Sequence, residues 1–182
     1  MLEQFRFLIR DYSRICGRKR GRFLYMWMSR SAVGVFLYRV ERGMYLMIGG
    51  AWPLFRILFI PILNVMYAYA NCEINYHASI GPGILVLHSS PGIVISGKSV
   101  IGKNLTLVGG NIIGSRPRTL QNGLAIGDNC SLGANAVVLG PVTLGNNVQV
   151  GACALVIHNF GDDCAVVGNP AKILMKSKSS NE

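Results

Sequence analysis

From residue 74 onward, aliphatic side chains recur at every sixth position. They stand at Ile74, Ile80 and Val86, at Ile95, Ile101, Leu107 and Ile113, and at Ile126, Leu132, Val138, Leu144, Val150 and Val156. Glycine often follows, as at Gly81, Gly102, Gly114, Gly127, Gly133, Gly145 and Gly151. Four positions after the aliphatic the side chain is commonly small or aliphatic: Ala78, Ser99, Cys130, Ala136, Val142, Ala154. A helix would repeat its apolar positions at three and four, and a plain strand at two. The period of six predicts very short strands joined by tight corners, one aliphatic per strand pointing inward, with glycine supplying the corner's unusual φ/ψ. Three such strands close a triangular coil of about eighteen residues, and about four to five stacked coils pair as parallel strands into a prism roughly 20–24 Å tall.

The repeat is interrupted twice. Val86 to Ile95 is nine residues, across LHSSPGIV, and Ile113 to Ile126 is thirteen, across GSRPRTLQNGLA. Insertions in a solenoid emerge as loops on one face, often the binding face, so both are candidate functional loops.

Residues 1–72 lack the repeat and read as helices, followed by the repeat domain at 73–175 and a polar tail at 176–182. Arg6, Arg10, Arg14, Arg18 and Arg22 recur every four residues. That spacing keeps the first three in one stripe, and Gly17 and Gly21 interrupt the helix before it takes in the last two. A second helix starts at Ser29 or Ser31 as N-cap and runs past Arg39. Between Gly43 and Cys72 the one charge is Arg56, and Pro53 and Pro61 break the two uncharged runs. The longer run reaches about 24 Å as a helix, short of a hydrocarbon core of roughly 30 Å. Two readings stay open: packing on the prism or on a neighbouring subunit, and an in-plane anchor with arginines on lipid phosphates.

Composition sharpens this. The 182 residues are 51% hydrophobic and 14% charged, with a mean hydropathy of +0.38, which excludes intrinsic disorder. The net charge is +10. Residues 1–72 carry eleven basic and three acidic side chains, against seven and five in the remainder, so the positive charge belongs to the helical part. Nucleic-acid binding fits that charge but finds no motif and no basic–aromatic groove. The five cysteines form no C-x-x-C pair, which predicts a reducing compartment and buried free thiols. The N-terminus, MLEQFRFLIRDYSR, has no apolar stretch of the signal-peptide kind.

Three histidines are available. His77 falls at a hexad position expected to face solvent, and His158 lies just past the last regular hexad; both read as exposed histidines. His88 sits in the first insertion, where an imidazole, titrating near pH 6.5 when unperturbed, can take a proton from an alcohol. Glu73 precedes it by fifteen residues, close to one coil, which places the two on neighbouring levels near the same edge. The histidine spacings do not suit a zinc site, so no metal is expected.

The stretches EINYHASIGPGILVLHSSPGIVISGKSVIGKN, IGDNCSLGANAVVLGPVTLGNNVQVGACALVI and VVGNPAKIL resemble the serine-acetyltransferase-like branch of the hexapeptide-repeat acyltransferases. In layout they are similar to bacterial exopolysaccharide (colanic-acid-type) O-acetyltransferases, which also have a short hydrophobic helical N-terminus. The resemblance implies a mainly β, left-handed parallel β-helix, a homotrimer with active sites between subunits, and acetyl-CoA as donor. It implies His88 as general base and Glu73 as its paired carboxylate. Gly114, Ala134 and Ala152 match positions where a small side chain lets the pantetheine arm approach the backbone, and Lys172 matches a basic residue near the adenosine phosphates.

Departures from serine acetyltransferases bear on the acceptor. Those enzymes place an Asp before the histidine, where this chain has Leu87, and an Arg-His pair where it has Asn122 and Gly123. The expectation is therefore acetyl transfer to a hydroxyl of a sugar or lipid-linked sugar in surface-polysaccharide biosynthesis. It carries with it a cytoplasmic location, peripheral on the inner face of the membrane through residues 1–72. The alternatives are serine O-acetylation and a non-catalytic trimeric scaffold.

Overall fold

The computed structural model describes residues 1–17, 29–117 and 119–174. From Cys72 the chain winds as a parallel β-helix with three faces. Face A holds β1 (Cys72–Ile74), β4 (Ile93–Ile95), β7 (Ile112–Ser115), β10 (Val137–Gly140) and β13 (Leu155–Val156). Face B holds β2 (Ser79–Ile80), β5 (Ser99–Ile101), β8 (Leu124–Ile126) and β11 (Val142–Leu144). Face C holds β3 (Leu85–Val86), β6 (Thr106–Leu107), β9 (Ser131–Leu132), β12 (Gln149–Val150) and β14 (Ala165–Val167), with β15 (Lys172–Ile173) added antiparallel at its top.

Strand register turns the hexad into three inward ladders. Ile74, Ile95, Ile113, Val138 and Val156 stack on face A. Ile80, Ile101, Ile126 and Leu144 stack on face B, and Val86, Leu107, Leu132 and Val150 on face C. All of these side chains are buried, as are the smaller ones at Ala78, Ser99, Cys130, Ala136, Val142 and Ala154. Each coil by itself is too thin to bury an apolar face, so the core exists only because coils stack.

The role of the glycines differs from the expectation. Gly81, Gly102, Gly127, Gly133, Gly145 and Gly151 do not have positive φ. They are required because the coils approach too closely for a Cβ. One built on Gly127 would lie 2.5 Å from the Gly145 carbonyl oxygen, and one on Gly133 2.6 Å from the Ala152 nitrogen. The left-handed corner positions are taken instead by Asn104, Asn129, Asn147 and Asp163, with φ between 56° and 60°. Asparagine tolerates this region, and here its side chains also tie the coils: Asn104 donates to Asn129 at 2.9 Å, Asn129 to Asn147 at 3.2 Å and Asn147 to Asp163 at 2.8 Å. Gly127→Ala should therefore destabilise the fold by about 1–3 kcal/mol, since backbone rather than a flexible side chain has to move; urea unfolding measures it.

The helical segment closes the bottom of the prism. It comprises α1 (Leu2–Cys16), α2 (Arg30–Ile48, with Ser29 at the N-cap), α3 (Trp52–Arg56) and α4 (Ile60–Ala70), with 3-10 turns at Gly49–Ala51 and Ile57–Phe59. Pro53 and Pro61 sit at the starts of α3 and α4, where a missing N–H costs nothing. The first coil has no coil below it, so its backbone groups need other partners. Asp11 accepts from the N–H of Gly83 (2.6 Å) and of Ile84 (3.0 Å). Arg39 donates to the carbonyls of Ile80 and Gly81, both at 2.7 Å. The Tyr38 hydroxyl accepts from the Ile80 N–H and donates to the Ala78 carbonyl. Arg14 reaches the Gly83 carbonyl, and Arg42 the carbonyls of Tyr76 and His77. Part of the basic charge read as facing an anionic partner is thus spent on the end of the β-helix. Arg6 and Arg10 stay exposed; Arg18, Arg22 and the tail at 176–182 lie outside the described residues.

Candidate functional site

Where face C turns into face A, successive corners stack into one column. His88 follows β3, and its backbone N–H donates to the Val108 carbonyl of the corner above. There Gly109 lies so close that a Cβ on it would stand 2.5 Å from the His88 carbonyl oxygen. Gly109 in turn accepts from Asn135, and Ala134 from Cys153. The top of the column is the turn Gly168–Ala171, whose two ends bond to Leu155; Lys172 follows on β15. The edge therefore carries His88, Ala134, Ala152 and Lys172 in rising order. At about 4.8 Å per coil, the fifth level stands roughly 19 Å above the first. His88 is exposed at the foot, and Ala152 and Lys172 are exposed near the top.

Glu73 stands on the outer surface of β1, beside Val94 of β4. Its neighbour Asn71 holds the His88 loop from below, donating to the Ser90 carbonyl at 2.8 Å and accepting from the Ile93 N–H. The two proposed partners thus occupy one edge on adjoining levels, as their spacing implies. Among the described residues, no hydrogen bond or ion pair joins their side chains. The Glu73 carboxylate borders a cleft of 680 Å³ between face A and the helices, walled by Arg56, Asn64, Tyr67, Asn71 and Asn75. Sequence reasoning did not find this cleft. Its polar wall is built by the buried Glu41, which accepts from Arg56 Nε at 2.5 Å and from the Tyr67 hydroxyl. Burial and that carboxylate push the Tyr67 hydroxyl well above the usual tyrosine range, keeping it protonated.

The second insertion does not share the His88 edge, against the expectation of a single loop-bearing face. It leaves β7 and enters β8, so it lies where face A turns into face B. Gly114, near the end of β7, lies at that far end too and not in the column with Ala134 and Ala152. The physical reason is the strand count: the insertions follow the third and seventh strands, and the helix turns every three. Here the loop meets α2, where Gln121, Asn122, His77, Tyr45 and Arg42 line a cleft of 480 Å³. His77 packs its ring on Tyr45 and Tyr76 (centroids 4.7 and 4.4 Å apart), and His158 is exposed. Between the two ends, the outer surface of face A carries an apolar ladder, Val94–Ile112–Val137–Leu155, in continuous register.

Cys72 and Cys130 are buried, whereas Cys16 and Cys164 are half-buried and Cys153 is exposed, which corrects the expectation of buried thiols for these three. Burial pushes the Cys72 thiol up to about 12, so it is unreactive. Among the described residues, no group of three His, Cys, Asp or Glu side chains is placed to hold a metal ion.

Residues 125–158 match the bacterial transferase hexapeptide (six repeats) family. That stretch runs from β8 to just past β13 and carries the hexapeptide repeat. This hexapeptide-repeat chain is 35% identical over 112 residues to a serine acetyltransferase of Synechococcus elongatus and 39% identical over 115 residues to one of Buchnera aphidicola. The matches cover 58% and 62% of this chain and 43% of each relative, so it spans less than half their length. In structure it superimposes on the Neisseria gonorrhoeae serine acetyltransferase with a TM-score of 0.80 at 23% identity, over 98% of this chain and 69% of that one. A serine acetyltransferase in complex with CoA superimposes with a TM-score of 0.75 at 19% identity, over 95% of this chain and 70% of that one. These findings overturn the expectation of a sugar hydroxyl as acceptor and of a role in polysaccharide biosynthesis. The relatives are serine acetyltransferases, and the likeness to exopolysaccharide O-acetyltransferases is not supported. The departures at Leu87, Asn122 and Gly123 are three positions, whereas the similarity to the Synechococcus elongatus serine acetyltransferase runs over 112 residues.

Proposed function

We propose that this hexapeptide-repeat chain is an acetyl-CoA-dependent O-acetyltransferase of the serine acetyltransferase type, working as a homotrimer on a small hydroxyl amino acid. The observation that carries the reading is the face C to face A edge. It sets an exposed imidazole at its foot, small side chains along its length and a lysine at its top, in a fold whose relatives act on serine. An extended thioester laid along that edge would bring its acyl carbon to His88 and its phosphates to Lys172, with Ala134 and Ala152 leaving room beside the backbone.

His88 takes the proton of the acceptor hydroxyl as its oxygen bonds to the thioester carbonyl carbon. The C–S bond then breaks, and the CoA thiolate recovers the proton from the imidazolium. Glu73, on the same edge, supplies the negative charge that steadies the imidazolium between the two transfers. The trimer is supported by the division of the proposed site residues between the two ends of face A. Gly114 and the second insertion at one end join His88 at the other only when a neighbouring copy is docked, and the Val94–Ile112–Val137–Leu155 ladder gives that copy an apolar surface. For the acceptor's own charges, the cleft beside Glu73 has Arg56, whose outer nitrogens are left to a carboxylate once Nε is held by Glu41.

The test is thiol release from acetyl-CoA by the full-length purified chain with L-serine as acceptor. Serine-dependent release with stoichiometric O-acetylserine is expected. CoA binding without any serine-dependent release would overturn the acceptor, and failure to bind CoA would overturn the reading altogether.

A further inference from the structure

The helical layer beneath the prism has two unlike sides. Its inner side is tied down: α2 is bonded to the first coil through Tyr38 and Arg39, and α1 and α4 pack against α2. The run from Trp52 to Ala70 is fastened in turn by Arg56 and Tyr67, which both donate to Glu41 of α2. Along that run the residues turned inward are Trp52, Leu63 and Ala70, all buried. Most of the remaining apolar side chains of the run are exposed, among them Phe55, Ile57 and Ile62, with Leu54, Leu58 and Val65 at 70%, 77% and 70%. Helix α1 likewise exposes Leu2, Phe5 and Ile9. Monomeric soluble domains rarely leave so many large apolar side chains uncovered in one layer.

We infer that this layer docks in the plane of an anionic lipid bilayer. Charge selects that occupant. Of the layer's three acids, Asp11 and Glu41 are buried in ion pairs with Arg39 and Arg56, leaving Glu3 at the surface. Arg6 and Arg10 are exposed beside Phe5 and Ile9, and Arg30 is exposed 5.7 Å from the Tyr69 ring. The apolar surface is thus rimmed by cations. Pairing it with the same face of a second copy would set arginine rim against arginine rim, whereas anionic headgroups supply the counter-charge while the acyl boundary takes the leucines. The stretch from Arg30 to Ala70 contains an 18-residue window of mean hydropathy 1.8, long and apolar enough to cross a membrane by length and composition. The bonds of α2 to the first coil, and of Arg56 and Tyr67 to Glu41 of α2, hold the stretch flat instead, with the prism standing away from the membrane surface.

The experiment is co-sedimentation of the full chain with vesicles of phosphatidylcholine, with and without an anionic phospholipid, together with sedimentation velocity in the absence of lipid. Binding to the anionic vesicles alone is expected, released by salt or alkaline carbonate. The exposed pair Leu54→Glu with Leu58→Glu should weaken it more than tenfold, since both apolar side chains leave the acyl boundary, with circular dichroism unchanged. Equal binding to neutral vesicles would overturn the charge argument, and resistance to carbonate would replace the in-plane helix with a span. Absence of vesicle binding, with a larger assembly in sedimentation that the double variant breaks, would assign the surface to a second copy. None of these readouts depends on acetyl transfer, so they stand or fall apart from the proposed activity.

Discussion

His88→Ala should lower kcat/KM for acetyl transfer by about a thousandfold or more while leaving CoA binding, thermal stability and assembly unchanged. A positioned general base contributes roughly 10²–10⁴ to rate, and the fold offers no substitute. His77 sits at the turn from face A to face B with its ring packed on Tyr45 and Tyr76, and His158 lies at the same turn in the fifth coil, after β13. Because His88 is exposed and holds its level through its backbone N–H, truncation removes chemistry without removing structure. Thiol release with saturating serine, alongside equilibrium CoA binding, separates the two. Full activity in the variant would remove His88 from the mechanism. Glu73→Gln, which keeps shape and removes charge, should cost less than His88→Ala and act on kcat rather than on the KM for acetyl-CoA.

The second large effect is on stability. Arg39 is 2% exposed and Asp11 fully buried, 2.8 Å apart, and between them they satisfy four backbone groups of the first coil. Arg39→Ala leaves a buried carboxylate without its cation and two carbonyls without donors, so a loss of about 3–5 kcal/mol is expected. For a chain of this size that lowers Tm by roughly 6–20 °C. The pH dependence gives a second check. Burial already raises the Asp11 carboxyl above its ordinary range, with Arg39 pulling it back down. Removing Arg39 raises it further. A carboxyl raised in the folded state favours folding below its unfolded value and loses that contribution as pH rises through the folded one. The Arg39→Ala deficit should therefore be larger at pH 8 than at pH 5. A uniform deficit would mean that the lost carbonyl bonds, not the unpaired carboxylate, dominate. Replacing both partners with apolar residues should recover part of the loss.

The fold was legible because each coil repeats one instruction. An aliphatic at every sixth position, read from Ile74 to Val156, named every inward ladder residue of faces A, B and C up to β13. The helix starting at Ser29 and the breaks at Pro53 and Pro61 were legible for similar local reasons of capping and ring geometry. His88 and Glu73 could be paired from sequence because fifteen residues is nearly one turn of the coil. That places them on one edge whatever the side chains do.

Long-range placement was decided only in three dimensions. The hexad glycines look like turn residues, and only coil stacking shows that they are there because no Cβ fits between neighbouring backbones. Asn104, Asn129 and Asn147 look like ordinary loop residues, and only their vertical alignment makes them a ladder. The two insertions look equivalent in sequence, yet a three-sided winding sends them to different edges, so Gly114 and the second loop lie at the opposite end of face A from His88. Charge was the least transparent of all. Eleven basic residues in the first 72 say nothing about which are spent. Arg39 and Arg42 lie on a helix whose register on the first coil turns them inward to backbone carbonyls, and Arg6 and Arg10 are left for solvent or lipid. Periodicity is a property of neighbours along the chain, which sequence records directly; the partner of a long side chain is set by what packs across from it, which only the tertiary structure supplies.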